Sequence, residues 1–169
     1  MNSFYDRKPQ THIDGSLIFK TAEDDANEAA IAKLVEAHFS CQAHPMARLA
    51  AIDWVFNRND RIVGVGELKI HRMHSEKFDT VLLSLRKWLA LLLAGEGMGV
   101  PPIYVSQWSD WTAWVDVRTI DAHSIRIGGC QSRGTDSRSN IEPLILIPLS
   151  KFREVAPHGY ETTRQPENK

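Results

Sequence analysis

Two apolar segments joined by a short polar turn constrain this chain most. Residues 49–56 (LAAIDWVF) and 61–70 (RIVGVGELKI) flank Asn57, Arg58, Asn59 and Asp60. Apolar runs of this length, bounded by turn residues, read as two strands of a hairpin, at about 48–56 and 61–70. Each strand carries an acid in its otherwise apolar run: Asp53 on the first and Glu67 on the second, with Lys69 two residues on. Strand side chains alternate between faces, so Glu67 and Lys69 point the same way.

Register decides whether Asp53 joins them. If Phe56 faced Arg61, Asp53 would face Gly64, and Glu67 and Lys69 would lie on the opposite face. A shift of one residue, by a five-residue loop or a bulge, pairs Asp53 with Val65 and gathers all three polar groups. Gly64 and Gly66 are suited to a bulge or a close backbone approach.

The flanking segments frame this hairpin. Thr21, Glu23 and Asp24 read as a helix start, a hydroxyl cap with acids in the first turn. Ala30, Ile31, Leu34, Val35 and His38 follow at three-and-four spacing, so the pattern predicts an amphipathic helix over about 22–39. Residues 42–46 break it. Residues 78–93 are rich in leucine and read as a second helix, with Arg86 and Lys87 in its middle. Gly95, Gly97, Gly99 and then Pro101-Pro102 end it. Further strands are expected at 103–107, 112–117 and 144–147, with a polar, glycine-rich loop over 128–140. The final dozen residues are expected to be loose, with the core over about 22–150.

Bulk properties bound the rest. The 169 residues are 43% hydrophobic and 24% charged, as in a folded domain, and suggest one domain. The net charge of −1 gives no general attraction to nucleic acid, so any basic surface is local. Candidates are Lys69, Arg72, Arg86 and Lys87, and later Arg118, Arg126, Arg133 and Arg138. Two cysteines make no disulfide framework. The longest apolar run, residues 88–94, falls short of the roughly 20 residues of a membrane span. With no signal-like N-terminus, an intracellular, cytoplasmic location is expected, the host cytoplasm if the chain is viral.

The order helix, strands, helix, strands, with Asp on one strand and Glu-x-Lys on the next, resembles the PD-(D/E)XK nuclease superfamily over residues 28–117. The proline usual before the aspartate is replaced by Ile52. Residues 128–143 resemble small uncharacterised phage members of that type. The resemblance implies an α/β fold of the restriction-endonuclease-like type, a mixed central sheet flanked by helices in the core order αβββαβ. It implies Mg²⁺-dependent hydrolysis of DNA phosphodiesters, with Mn²⁺ able to substitute. Asp53, Glu67 and the carbonyl of Leu68 would hold the metal, and Lys69 would position the attacking water. Family members often add a glutamate from the first helix. Glu28 is preferred here, with Glu36 as the other candidate. Arg72, Lys87 and Arg133 are candidates for DNA contact, and a homodimer is a further expectation.

The residue types suit that chemistry independently. Mg²⁺ takes oxygen ligands and keeps several waters. It polarises a phosphoryl oxygen and acidifies bound water, while an ammonium stabilises the growing negative charge. Other readings compete. A catalytically silent nucleic-acid-binding or assembly protein can keep the same fold. His38, Cys41 and His44, with His71 and His74, offer zinc-type donors for a zinc-stabilised interaction module, though at no standard spacing. Trp108, Trp111 and Trp114 are dense, but tryptophans in strands are more often core than base-stacking surface.

Overall fold

The computed structural model describes residues 10–11, 17–18, 22–47, 50–71, 73–121, 125–128 and 141–156. Its elements are β1 (Gln10–Thr11), β2 (Leu17–Ile18), α1 (Ala22–Phe39), β3 (Gln42–Pro45), β4 (Trp54–Arg58), β5 (Arg61–Ile70), β6 (Thr80–Ser84), α2 (Leu85–Met98), β7 (Pro102–Gln107), β8 (Thr112–Asp116), β9 (Ile125–Gly128), β10 (Glu142–Pro148) and β11 (Arg153–Ala156). The cap expected at Thr21, the 129–140 loop and the tail from 157 lie outside the described residues.

Six strands form the main sheet in the order β11-β8-β7-β5-β4-β3. β5 and β7 run parallel, and the other neighbours are antiparallel. A parallel pair needs a crossover, which here runs through β6 and α2. Helix α1 covers one face: Ile31, Ala32 and Val35 pack with Trp54, Phe56, Leu68, Ile103 and Val105. On the other face Val55, Val65, Tyr104 and Val115 pack with Leu91 of α2 and with a second sheet, β6-β10-β9, through Val81, Leu83, Ile145 and Ile147.

The hairpin at the centre is tighter than the sequence pattern predicts. Asn59 and Asp60 alone form the turn, at φ 50° and 58°, while Arg58 pairs with Arg61. Two consecutive left-handed residues suit the strand twist, and Asn and Asp tolerate them. The register then shifts between Phe56 and Asn57, where Val63 is the extra residue of a bulge. Beyond it Phe56 faces Gly64, Val55 faces Val65 and Trp54 faces Gly66. Gly66 is required because a Cβ there would sit 2.7 Å from the Phe56 ring.

The second helix departs from expectation. Residues 80–84 (TVLLS) form β6, and α2 begins only at Leu85. β6 pairs in register with β10, from Ser84 against Leu144 to Thr80 against Pro148. Leucine serves a buried strand as well as a helix, and the pairing that decides the matter is some sixty residues away in sequence. Gly95 and Gly97 lie inside α2, which ends at Gly99 in the left-handed region, φ 65°.

Candidate active site

Continuing the β4–β5 register by one step sets Asp53 opposite Glu67. The sequence-based register with Asp53 against Val65 is therefore displaced by two residues. Two residues is one full side-chain period, so Asp53 still shares a face with Glu67 and Lys69. The backbone of Asp53 is fixed from the other side, since its carbonyl accepts the Met46 N–H at 2.8 Å. Both acids face the α2 side of the sheet, Glu67 in the C-terminal half of β5 and opposite Tyr104 in the middle of β7.

Lys87, in the first turn of α2, closes the group. Its Nζ donates to Asp53 Oδ1 at 2.6 Å and to Glu67 Oε2 at 2.8 Å. All three side chains are largely withdrawn from solvent, at 29% exposure for Asp53, 13% for Glu67 and 17% for Lys87. Burial and the adjacent Asp53 charge push the Glu67 carboxyl up to about 8, and the attraction of Lys87 only partly offsets them. Burial alone would lower the Lys87 ammonium; Glu67 and Asp53 outweigh it and hold it above its ordinary value. Tyr104, fully buried, lies opposite Glu67 in the β5–β7 register, and its phenol is pushed up by burial and by the Glu67 charge.

Lys69 is exposed and makes no ion pair among the described residues. Leu68 is buried on the α1 face. Along β5 the N–H groups of Val65 and His71 bond to Pro101 and Gln107 on the β7 side. The even-numbered residues therefore present their backbone to the β4 side. The Leu68 carbonyl lies on that side, past Trp54 where β4 begins and next to Asp53.

The two helix glutamates separate clearly. Glu36 Oε1 accepts the Ala43 N–H at 2.8 Å, and Oε2 accepts from Lys33 at 2.7 Å. It secures the start of β3, and the Ala43 bond followed by the Lys33 bond lowers its carboxyl. Glu28 lies half-buried earlier in α1, the helix on the opposite face of the sheet. Among the described residues no three Asp, Glu, His or Cys side chains gather around one point. Glu28 thus forms no three-acid cluster with Asp53 and Glu67, and His38, Cys41 and His44 form no zinc-type cluster. Arg72 and Arg133 lie outside the described residues.

The donor set fits a hard divalent cation. The carboxylate of Glu67 on β5 and that of Asp53, just before β4, converge on a single cationic atom, and the Leu68 carbonyl points toward the β4 side. Oxygen-only donors are what Mg²⁺ selects. Lys87 is the site residue that the sequence pattern presented only as a helix-borne candidate for DNA contact. Its signal depends on where α2 starts: a helix from residue 78 leaves its facing open, whereas a start at Leu85 puts it in the first turn over the strand ends.

Residues 17–155 match the family model described as phage putative PDDEXK endonuclease. Among solved structures, Hjc from Archaeoglobus fulgidus, a Holliday junction resolvase from an archaeal hyperthermophile, aligns with a TM-score of 0.54. The alignment covers 80% of this chain and 93% of that one, at 13% sequence identity. Likeness at that identity is one of fold, and it supports the restriction-endonuclease-like arrangement of a mixed sheet with two helices. No curated protein matches the chain. No helix among the described residues is long and apolar enough to cross a membrane.

Proposed function

We propose that this chain, which belongs to the phage putative PDDEXK endonuclease family, is a single-domain, Mg²⁺-dependent nuclease that hydrolyses DNA phosphodiester bonds. The observation that carries the reading is the convergence of Asp53 and Glu67 on one cationic centre, at 2.6 and 2.8 Å. Two partly desolvated acids set against each other are costly unless a cation sits between them.

Asp53, Glu67 and the Leu68 carbonyl would hold Mg²⁺, with Mn²⁺ able to replace it. When bound, such an ion polarises a phosphoryl oxygen and acidifies its water. Lys69 is free to turn toward the substrate, and its ammonium orients the attacking water and stabilises the charge growing on the phosphoryl oxygens. Lys87 balances the acids and, when they take up the metal, is released toward a phosphate oxygen of the DNA. Glu28 assists through a water, and Arg72 and Arg133 contact the backbone. A homodimer would present two such centres to two strands.

Cleavage of supercoiled and linear DNA with Mg²⁺, Mn²⁺ or EDTA, beside Glu67→Ala and Lys69→Ala, tests this. Metal-dependent cutting by the wild type, lost in both variants while they remain folded, is the expected result. A folded wild type that cuts neither duplex, branched nor single-stranded DNA would move the reading to a binding or assembly role.

A further inference from the structure

Past Lys69 the active strand runs into a stack of aromatic rings. His71 follows Glu67 and Lys69 in the strand alternation, and its N–H continues the ladder to Gln107 at 2.7 Å. Its ring lies 5.1 Å from that of Trp108, with 14° between the planes. Trp108 stacks in turn on Trp111, at 5.4 Å and 22°. Trp108 is buried, whereas Trp111 at one end of the series is only partly covered. Core aromatics commonly meet edge-to-face, as Phe152 does against Trp108. Three nearly parallel rings in series are a different arrangement.

The stack is held firmly. Asp110, inside the turn that carries both tryptophans, accepts from the Ser75 N–H and the Ser75 hydroxyl, each at 2.8 Å. The Trp108 N–H donates to the Trp111 carbonyl at 2.7 Å, and the Ser109 N–H to the Met73 carbonyl at 3.2 Å. The turn and the loop after β5 therefore form one cross-linked unit, with Met73 and His74 exposed on it. Rings ordered in advance lose little entropy on binding. Burial, and secondarily Lys69, keep the His71 ring below its ordinary pKa, which favours an uncharged stacking partner.

A strand rises about 3.3 Å per residue, so position 71 lies roughly 7 Å beyond Lys69 and roughly 13 Å beyond Glu67. Trp111 lies two ring spacings further on, 5.1 and 5.4 Å, which is the reach of a nucleotide a few positions from the scissile one. Bases of a paired duplex keep their faces against one another, and only a base freed from the helix can offer its face to a protein ring. We infer that Trp111 receives the face of an unpaired base a few nucleotides from the scissile phosphate, so that the preferred substrate is DNA that is locally unpaired. This rests on the reading of the chain as a DNA nuclease.

The test is binding, by fluorescence anisotropy in EDTA, of three labelled DNAs: a paired duplex, the same duplex with one unpaired nucleotide, and that bulge made abasic. Loss of one base stack corresponds to about tenfold in Kd. The wild type is expected to bind the bulged DNA about tenfold more tightly than the abasic form. Trp111→Ala should lose that preference while its affinity for paired DNA stays within about twofold, and Trp111→Phe should keep most of it. Equal loss on all three DNAs in Trp111→Ala would make Trp111 a packing residue and overturn the inference. So would equal binding of bulged and abasic DNA by the wild type, a comparison that stands even if Trp111→Ala fails to fold. Metal-dependent cleavage of paired DNA with no base preference would sink this inference alone. Failure to bind any of the three would sink the nuclease reading with it.

Discussion

Glu36 and Glu67 are the same residue under opposite treatment. Glu36, near the end of α1, has each carboxylate oxygen matched to a donor, the Ala43 N–H and the Lys33 ammonium. Glu67 is buried against another acid and shares one ammonium with it. Its carboxyl is raised where that of Glu36 is lowered. A satisfied carboxylate fastens one element to the next. A carboxylate crowded by a like charge leaves the fold with an electrostatic demand that a divalent cation can meet better than one lysine can.

The comparison breaks most visibly in catalysis. Asp53→Asn should abolish metal-dependent cleavage, by about a thousandfold, the several kcal/mol that a metal's charge stabilisation supplies. Glu36→Gln should leave the turnover of folded protein close to wild type. Paired kinetics on one DNA substrate check this, and comparable loss in both variants would place Glu36 in the site.

Next in size is the loss of the shared cation. Lys87→Met removes the cation that Asp53 and Glu67 share, so Glu67 must keep a proton or face Asp53 without compensation; above about pH 9 this should cost about 3 kcal/mol in metal-free protein, the range for removing one partner of a largely buried pair. Saturating Mg²⁺ should restore much of it, because a ligand held only by the folded state stabilises it. Urea unfolding with EDTA and with Mg²⁺ measures both. An unchanged midpoint in EDTA would show that Lys87 is not what balances the acids.

These contrasts were only partly legible in the sequence. Helix α1 could be read because three-and-four apolar spacing and a break over residues 42–46 agree. Strand β5 could be read because its glycines and turn residues leave no helical alternative. The bulge could be named as a requirement, since one face must hold three polar groups, but its place at Val63 depends on Phe56 needing the space above Gly66. β6 was hidden because valine and leucine beside a true helix carry no local mark of strand, and its partner β10 is remote. With β6 unread, the start of α2 and the direction of Lys87 were unread too. The aromatic stack escaped for a similar reason. Trp108 and Trp114 pack on opposite faces of the sheet, and parallel stacking of His71, Trp108 and Trp111 depends on how two loops are tied together.

A smaller effect sharpens the comparison through local structure. Glu36→Gln can keep an oxygen toward Ala43 but loses the charge that strengthens the bond, so a cost of about 1 kcal/mol is expected. Glu36→Ala removes the acceptor and should cost more. Amide hydrogen exchange at Ala43 locates the effect. Protection lost there in Glu36→Ala, with Val65 unchanged, would tie Glu36 to the α1–β3 junction.

The finest difference is the sign of the pH dependence. A carboxyl raised in the folded state contributes stability that is full below its unfolded value and is lost as pH rises through its folded value. For Glu67 that window runs from about 4.5 to about 8 in metal-free protein. Glu36, lowered in the fold, behaves oppositely: its contribution is full above its unfolded value and is lost as pH falls through the folded one. Lys87, raised, keeps its contribution throughout this window, because its own loss begins only above its ordinary value near 10.5. Melting temperatures in EDTA should therefore fall between pH 5 and pH 8. Glu67→Gln cannot ionise at that position, so it should flatten the fall, whereas Glu36→Gln should leave it intact. Mg²⁺ should flatten it in the wild type, since the metal favours the ionised carboxylate that burial and Asp53 disfavour. A fall that persists unchanged in Glu67→Gln would assign it to another group and remove the electrostatic contrast between the two glutamates.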